Sequence, residues 1–527
     1  MAEPIAGKFL LEILTKGMYS NPMHIYREYI QNSSDSIDHA VRSGIITSEE
    51  AEIHITIDTE TGSITIRDNG SGIPKEVAPI TLMNVGASEK DGIRERGFRG
   101  IGRLAGLAYA NAVVFTTSAC GEPSRTLMFC DCKKLQSLLQ KSNTETSDIM
   151  ETFKAITQIY EQSEDPSSHY FEVRLLGVPT DSQLLDEKRV ITYLSETAPV
   201  DFDSQQFAQA KKIRDHFKES GHPISVYNIY NGERKKPIYK LYSRYMSTGK
   251  QERSRTDDYV RDVEFIYKEA SDGKPLYIGW LAITDFSGII SDDSLEGIRF
   301  RKGNILVGNN TTFSDYFPSE GHNANRMFAG EIHVLHDDLI PNSQRDDFEH
   351  TPMYSEMRYA LMEWAGYINK KYRRGTSEIT SALKKLQKLD EEQTKLEKEV
   401  DSGAITSDEK REQISEKLSR IAENRKKEEK QIRKAIERGA VDEERKEKIE
   451  NALKNVESSS KKATSLGKTI ANSDYATKYD LPSSYSREER KLYQRIISII
   501  DSYFSSDPKT GAALRDKIKA ELSEKKK

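Results

Sequence analysis

The sequence predicts an α+β protein in which two mixed domains precede a helical C-terminal region. The chain has 527 residues, more than the ~250–300 that one hydrophobic core serves, so at least two domains are expected. Strand patterns mix with helical patterns up to about residue 375. Beyond that point charge dominates, because 44 of the 90 residues from 371 to 460 are charged, with the two signs interspersed.

Composition excludes several classes of protein. Hydrophobic residues make up 36% and charged residues 31%, with a mean hydropathy of −0.69. No stretch approaches the ~18 apolar residues of a membrane span, and a net charge of −5 does not indicate a nucleic-acid binder. The first residues lack the basic and apolar runs of a signal peptide. Three cysteines cannot form a disulfide framework, so a cytoplasmic location is expected.

The first domain begins with a helix and a hairpin. Residues 23–42 carry Tyr26, Ile30, Ile37 and Val41 at helical spacing, which predicts an amphipathic helix. Isoleucines then alternate with polar residues on either side of a Thr-Gly turn, which predicts a hairpin. Further strands are predicted over 112–118 and 171–175 and a further helix over 186–196, while 133–165 shows only helical patches.

A proline followed by an acidic segment predicts a boundary near residue 200, so the first domain covers 1–200. Short strands and one helix predict a second domain, of the α+β middle or transducer type, over 201–375; the predicted elements are strands at 224–230, 263–268, 277–283, 298–307 and 330–334 and a helix at 353–374. Leucine and isoleucine seams predict antiparallel coiled-coil helices over 376–470, with a single solvated helix as the alternative. Two closing helices, 486–504 and 507–523, are predicted in the C-terminal segment 471–527.

Polar residues on the first long helix form the first motif that carries chemistry. Glu28, Asn32 and Asp35 fall at positions i, i+4 and i+7, which lie on one helical face. A carboxylate, an amide oxygen and a second carboxylate suit a hard cation and an activated water. A merely solvated polar stripe is the alternative.

Two glycine-containing motifs follow. Asp68 ends a strand, and Gly70 and Gly72 let the backbone turn tightly beside any group that Asp68 binds. An ordinary Asp-Asn-Gly turn without a ligand is the alternative. The third motif places glycines at the start of a helix, where bare backbone N–H groups can bind phosphate; these are Gly97, Gly100 and Gly102.

Together the three motifs resemble those of the GHKL ATPases, which include gyrase B, heat-shock protein 90, histidine kinases and MutL, with MORC as a relative. The patterns E-x-x-x-N, D-x-G-x-G and G-x-x-G-x-G occur in the family's order, and the match is close over residues 8–120 and looser to about 200. The resemblance implies a GHKL (Bergerat) sandwich that binds ATP with Mg²⁺ as cofactor.

The resemblance also implies roles for individual residues. Glu28 is the base that polarises the attacking water, and Asn32 ligates Mg²⁺. Asp68 accepts a hydrogen bond from the adenine amino group, and Gly72 lets the base approach closely. The remaining implied nucleotide contacts are of three kinds. Asp35 and Gly70 belong to the pocket wall and the Asp68 turn. Asn84 and Lys90 face the phosphates, and Gly97, Gly100 and Gly102 belong to a lid over residues 86–102.

A loop far downstream bears on the branch of the superfamily. Residues 339–346 resemble the N-x-x-R-[D/E] loop in the middle domain of heat-shock protein 90, which implies that Arg345 contacts the γ-phosphate. A planar guanidinium suits phosphate oxygens. Lys302 is the competing candidate, because it stands in a strand-loop context like the lysine of gyrase B, MutL and MORC. The chain departs from the family at His169, which stands where a strand threonine is expected.

The resemblance, nearest to a heat-shock protein 90-like or MORC-like prokaryotic ATPase, implies an ATP hydrolase that works as an ATP-gated homodimeric clamp. It would remodel a client protein, as heat-shock protein 90 does. The alternative is a MORC- or MutL-like clamp associated with DNA, as in prokaryotic genome or anti-phage defence, so client protein and DNA both remain open. A non-hydrolysing nucleotide sensor is an alternative of another class, although a sensor has no need of Glu28. Apolar residues of the closing helices predict that 486–523 hold a constitutive dimer.

Overall fold

The structure is a computed structural model that describes residues 6–17, 21–86, 100–140, 143, 148–232, 235–249, 256–286, 288–318, 321–401, 408–437, 443–471 and 485–524. The chain divides into two compact units, residues 1–367 and 368–527. In the described parts, no helix combines the length and the apolar character needed to cross a membrane.

The first part of unit one alternates short helices with the strands of one large sheet. Its elements are α1 (Phe9–Glu12), a π-helical segment (Ile13–Gly17), α2 (His24–Arg42), β1 (Glu52–Asp58), β2 (Ser63–Asp68), α3 (Ala78–Met83), a 3₁₀ segment (Gly102–Ala108), β3 (Ala112–Ser118), β4 (Ser124–Asp131), α4 (Cys132–Leu139), α5 (Ile149–Ile156), β5 (Thr157–Ser163), β6 (Tyr170–Leu176), a 3₁₀ segment (Gln183–Leu185) and α6 (Glu187–Thr197).

The rest of unit one is built mainly from short strands. Its elements are α7 (Ala210–Glu219), β7 (Asn228–Asn231), β8 (Lys236–Pro237), β9 (Tyr245–Thr248), β10 (Thr256–Tyr259), β11 (Asp262–Glu269), β12 (Pro275–Ile283), β13 (Gly297–Lys302), β14 (Ile305–Val307), a 3₁₀ segment (Thr312–Tyr316), α8 (Gly321–Asn325), β15 (Ala329–Val334) and α9 (Pro352–Ile368), which ends at the boundary with unit two.

An eight-stranded sheet in the order β5-β4-β3-β6-β2-β1-β7-β8 organises the first domain. Its pairs are antiparallel except β1 with β7. Alternate isoleucines of β1 and β2 are buried and pack against the apolar stripe of α2, as their period of two predicts. The hairpin turn needs Gly62, whose φ is +63° and whose Cβ, if present, would lie 2.5 Å from the Val178 carbonyl oxygen.

A five-stranded sheet in the order β11-β12-β15-β13-β14 organises the second domain, next to a β9–β10 hairpin. Its core is aromatic: the Trp280 ring lies 4.8 Å from Tyr242 and 5.7 Å from Phe207, and α7 contributes Ile213 and Phe217. Strand β7 follows the predicted boundary near residue 200 in the chain, yet it pairs with β1 in the first sheet.

Unit two is helical. After a π-helical segment (Asn369–Arg374) its helices are α10 (Gly375–Asp401), α11 (Asp408–Glu437), α12 (Glu443–Ala471), α13 (Arg487–Tyr503) and α14 (Pro508–Glu524). Ion pairs join Lys385 to Glu428 and Lys410 to Glu399, so α10 and α11 run antiparallel. Helices α11 and α12 are also antiparallel. Arg433 forms an ion pair with Glu457, and the Ser415 hydroxyl donates to the Gly467 carbonyl.

The structure confirms the predicted α+β class. Strand β4, helix α7 and the β9–β10 hairpin were not predicted, and two further differences have a clear local cause. The single strand expected over 298–307 is the hairpin β13–β14, because Gly303 and Asn304 both adopt positive φ, at +57° and +62°, and reverse the chain in two residues. Strand β5 lies where only helical patches were expected. It is an edge strand whose side chains are largely exposed, so its sequence lacks a clear apolar alternation.

Candidate active site

The polar face of α2 lies beside its buried stripe. Tyr26 and Ile30 are fully buried in the core, whereas Glu28 and Asn32 are half-buried. Asp35, one turn beyond Asn32, is also buried. No hydrogen bond of the described residues uses the Asn32 amide, so its oxygen is available as a ligand.

The Glu28 carboxylate lies among three elements. A Cβ at Gly102, the last glycine of the third motif, would lie 2.5 Å from Glu28 Oε2, so that glycine permits the close approach. Arg27 Nε and Arg345 Nε each lie 3.7 Å from Glu28 Oε1. The predicted base, the end of the predicted lid and the predicted arginine therefore meet at one carboxylate.

Tyr29 fixes the segment that follows the lid. Its hydroxyl donates to the Arg103 carbonyl at 3.1 Å and accepts from the Gly106 N–H at 3.0 Å. These bonds hold the 3₁₀ segment Gly102–Ala108 against α2. In the sequence Tyr29 reads only as an apolar residue of the helix, so this function was missed.

The turn after β2 presents one carboxylate oxygen of Asp68. Oδ1 accepts from the Gly70 N–H at 2.9 Å, whereas buried Oδ2 has no hydrogen-bond partner within the described ranges. Burial raises the pKa of Asp68 to about 6, although the hydroxyls of Ser33 and Ser36 and backbone N–H groups favour its charged form. A buried acceptor of this kind is satisfied by a ligand that donates a hydrogen bond.

Two glycines shape the same turn. A Cβ at Gly70 would lie 2.1 Å from Ser36 Oγ, so the turn can pack on the last part of α2 only without a side chain. Gly72 has φ +63°, and its Cβ would lie 1.9 Å from the Ser118 carbonyl oxygen. Larger residues at either position would push the turn away from the site.

His169 supports this turn from the start of β6. Its Nδ1 donates to the Gly70 carbonyl at 2.9 Å, which fixes the ring tautomer. A threonine on the neighbouring strand β3, Thr117, accepts from the Ile73 N–H at 2.8 Å through its Oγ1 and donates to the Tyr170 carbonyl. The histidine therefore replaces the expected hydroxyl with a brace for the Asp68 turn.

The predicted lid is described only at its two ends. Asn84 is half-buried, ends α3 and donates its N–H to the Ile80 carbonyl at 2.9 Å. Gly100 has φ +68°, a conformation suited to glycine. Lys90 and Gly97 lie outside the described residues.

A compact loop of the second domain brings Arg345 to this site. Pro341 and Phe348 pair at its base, and the Arg345 N–H donates to the Asn342 carbonyl at 3.1 Å. Arg345 is buried with φ +57°, a strained value that the loop imposes. The loop is anchored on α2 because Arg27 Nη2 donates to the Gln344 carbonyl at 3.0 Å.

Lys302 is directed elsewhere. Its Nζ donates to the carbonyls of Leu335 and His336, at 3.2 and 2.7 Å. Burial lowers the pKa of Lys302 to about 8. Those two carbonyls belong to the segment that follows β15.

Clusters of three or more His, Cys, Asp or Glu side chains fit to hold a metal ion do not occur among the described residues.

Residues 21–164 match the family described as histidine kinase-, DNA gyrase B- and HSP90-like ATPase. The chain carries a GHKL ATPase domain. The three motifs, the Asp68 turn and strands β1 to β5 of the sheet lie within this matched region. The matched region thus contains every candidate site residue except the two competing cations, Arg345 and Lys302.

Curated relatives of the GHKL domain include heat-shock chaperones. The chaperone protein HtpG of Halalkalibacterium halodurans is 32% identical over 134 residues, which are 22% of this chain and 21% of the relative. HtpG of Mycolicibacterium gilvum is 32% identical over 137 residues, with the same shares. The mitochondrial heat shock protein 75 kDa of Rattus norvegicus is 34% identical over 84 residues, 15% of this chain and 12% of the relative. The chain spans about a fifth or less of the length of these relatives.

Proposed function

We propose that the chain hydrolyses ATP at the GHKL site, with Glu28 as the base and Arg345 as the group that neutralises the γ-phosphate. One observation carries the proposal: a loop of the second domain brings a buried arginine to within 3.7 Å of the carboxylate that the family motif assigns to catalysis. Phosphoryl transfer to water needs positioning and charge neutralisation more than covalent help, and this arrangement supplies both.

The base-binding end of the site fits adenine. Asp68 Oδ2 is buried and makes no hydrogen bond of normal geometry in the described ranges, although the Ser33 and Ser36 hydroxyls lie near the carboxylate. An exocyclic amino group is a donor of the right kind for this oxygen. The turn around Gly72 has no room for a side chain, which leaves backbone at close range to a flat base. These two features support ATP rather than a nucleotide whose base lacks an amino group.

The Asn32 side chain would hold Mg²⁺ together with phosphate oxygens of ATP. Its amide oxygen lies one helical turn from Glu28, on the same face of α2. When bound, the ion would offset the negative charge of the phosphates. Glu28 would orient a water for attack on the γ-phosphorus and accept its proton.

Arg345 is favoured over Lys302 for the γ-phosphate. Lys302 already donates to two backbone carbonyls, and a move to the nucleotide would leave those carbonyls without their donor. Arg345 lies at Glu28, and its planar fork can bind two phosphate oxygens at once. This choice supports the heat-shock protein 90-like branch over the MORC or MutL branch.

We propose further that ATP closes a homodimeric clamp that remodels a client protein. The similarity to chaperone proteins named HtpG supports a client protein over DNA. The antiparallel helices of unit two support the proposal of a coiled-coil region there. A cytoplasmic location stays a prediction.

A phosphate-release assay on the full-length chain tests the proposal, with binding of ATP and ADP measured in parallel. Mg²⁺-dependent turnover that is lost in Glu28→Ala while nucleotide binding persists is the expected result. Binding without turnover in the wild type would make the chain a nucleotide sensor. If Lys302→Ala abolishes turnover and Arg345→Ala does not, the MORC or MutL type replaces the chaperone type.

A further inference from the structure

Tyr193 lies on α6 against the face of α2 that carries Glu28. Its ring centroid is 6.4 Å from that of His24, and Glu28 follows His24 by one helical turn, about 5.4 Å. The last turn of α6 is held by the second domain, because Arg301 Nη2 donates to the Glu196 carbonyl at 2.9 Å. The Tyr193 ring therefore packs one helical turn from Glu28, on a helix whose last turn is anchored to the second domain.

The Tyr193 hydroxyl is buried and makes no hydrogen bond within the part of the chain that the structure describes. Thr197, one turn later, donates to the backbone carbonyl of Tyr193 at 2.7 Å, and its hydroxyl also lies near the phenol, where it favours the ionised form without forming a hydrogen bond of normal geometry. Burying an unpaired hydroxyl destabilises a fold, and phenylalanine would fill nearly the same space without that cost. Packing therefore accounts for the ring but not for the hydroxyl.

The charges of the proposed site act on this phenol. Burial raises the pKa of Tyr193 to about 12, the Arg27 guanidinium opposes that rise, and the Glu28 carboxylate adds to it. The hydroxyl is therefore protonated at neutral pH and is available as a donor. A neutral donor next to a carboxylate orients it without cancelling its charge.

We infer that Tyr193 is a positioning residue for Glu28: its O–H donates to the carboxylate when Arg345 leaves that carboxylate for the γ-phosphate. Glu28 needs a partner at that moment, because an unheld carboxylate would lose its orientation toward the attacking water. The inference rests on the proposed function and adds to the site a residue that none of the three motifs contains.

Tyr193→Phe in the full-length chain tests the inference, with Tyr26→Phe as the matched control. Tyr26 is a buried tyrosine on α2 whose hydroxyl donates to the Leu184 carbonyl at 2.7 Å, so its loss removes a structural bond. We expect Tyr193→Phe to lower kcat about tenfold with KM for ATP nearly unchanged, and to leave Tm unchanged or higher. We expect Tyr26→Phe to lower Tm and leave kcat as it is.

The pH profile provides a readout that a structural role would not move. A hydrogen bond from a neutral donor favours the charged form of a carboxylate, so the removal of that bond should shift the acid limb of kcat to higher pH. Tyr193→Phe leaves the other charged groups of this region unchanged. Arg27 and Arg345 lie at Glu28, Glu196 acts on Tyr193, and Asp346 acts on His24. Burial keeps the pKa of His24 at about 4, so His24 stays neutral across the assay range above pH 5.

Glu28→Ala separates failure of the inference from failure of the proposed function. Full turnover by Glu28→Ala overturns both. Loss of turnover in Glu28→Ala together with wild-type kcat and pH profile in Tyr193→Phe overturns the inference alone. A fall in kcat that is matched by a fall in Tm, with no shift of the acid limb, would assign Tyr193 a structural role and also overturn the inference.

Discussion

The two arginines next to Glu28 lie far enough from its carboxylate for Glu28 to act as a base. A direct hydrogen-bonded ion pair has a nitrogen–oxygen distance of about 2.7–2.9 Å, whereas both Arg27 and Arg345 lie 3.7 Å from Glu28 Oε1. Ion pairs at this longer separation contribute less interaction energy, so an arginine can more easily leave the carboxylate and bind a phosphate instead. The geometry is consistent with an arginine that can change partners.

Replacement of Glu28 should therefore separate binding from hydrolysis. We expect Glu28→Ala to bind ATP with nearly wild-type affinity and to hydrolyse it at least ~100-fold more slowly, since a positioned base contributes about 10²–10⁴ in rate. Phosphate release and equilibrium binding measure the two effects. Glu60→Gln, which changes an exposed carboxylate in the β1–β2 turn, is the control and should behave as wild type.

Asp68 should show a trade-off between stability and binding. The pKa of Asp68 is about 6 in the folded chain, against 3.8 for an unperturbed aspartate as in the unfolded chain. The contribution of Asp68 to the free energy of unfolding therefore falls as pH rises from about 4 to about 6 and is level above that. Asp68→Asn removes this buried charge, and its Tm relative to wild type should rise over the same pH range. It should also lose the rise in Tm that ADP produces in wild type, because the adenine amino group loses its carboxylate acceptor.

Thermal melts with and without ADP at pH 4.5 and pH 7.5 measure both parts of this prediction. An ADP-induced rise in Tm that survives in Asp68→Asn would show that Asp68 does not hold the base. A Tm difference between variant and wild type that is independent of pH would show that burial does not destabilise the charged form of Asp68.

At the scale of elements, α2 could be predicted from the sequence, whereas most of its contacts with distant parts of the chain could not. Helical spacing alone places Glu28 and Asn32 on one face, because the 3.6-residue period is a local property. The hydrogen bond from Arg27 to Gln344 joins residues 317 positions apart and depends on how the two domains pack. No local pattern identifies Tyr193 or the brace from His169 for the same reason.

The returning strand β7 illustrates the same limit. A proline and acidic residues near 200 resemble a domain boundary, and the composition there is that of a linker. The chain nevertheless comes back to add Asn228–Asn231 to β1, because the parallel edge of β1 is still unpaired at residue 200. A fragment that ends near 200 would expose that edge, so the contribution of the second domain is better tested by substitutions in the full chain.

The loop from Pro341 to Phe348 is the element whose role is most sharply testable. We expect Arg345→Ala to lower kcat at least ~100-fold with little change in ADP affinity, because the side chain would contact only the γ-phosphate. Lys302→Ala should retain turnover and lower Tm, since Lys302 ties two carbonyls of the second domain. Steady-state kinetics and melts of both variants decide between the two cations.

At the scale of the whole molecule, the closing helices carry an apolar face without a described partner. Leu492, Ile496, Ile499 and Tyr503 recur at helical spacing and are 42–80% exposed, whereas Tyr493 and Ile497 on the other side of α13 are buried. Ser486 caps α13 through a capping box with Glu489, so the helix has a defined start. A stripe of this kind on a well-formed helix is typical of an interface.

We therefore predict that residues 486–523 hold a constitutive homodimer and that ATP adds a second, reversible contact. Leu492→Ser with Ile499→Ser should raise the dimer dissociation constant at least ~100-fold, because burying one such side chain stabilises an interface by about 1.5–3 kcal/mol. Tyr359→Ser, which removes an equally exposed apolar side chain from α9, is the control and should leave the mass unchanged.

Mass measurement in solution without nucleotide and with ADP tests the constitutive contact, and a wild-type monomer at micromolar concentration would exclude it. Glu28→Ala trapped with ATP should become more compact than the ADP form; equal hydrodynamic radii in the two states would exclude the clamp while leaving the ATPase assignment intact.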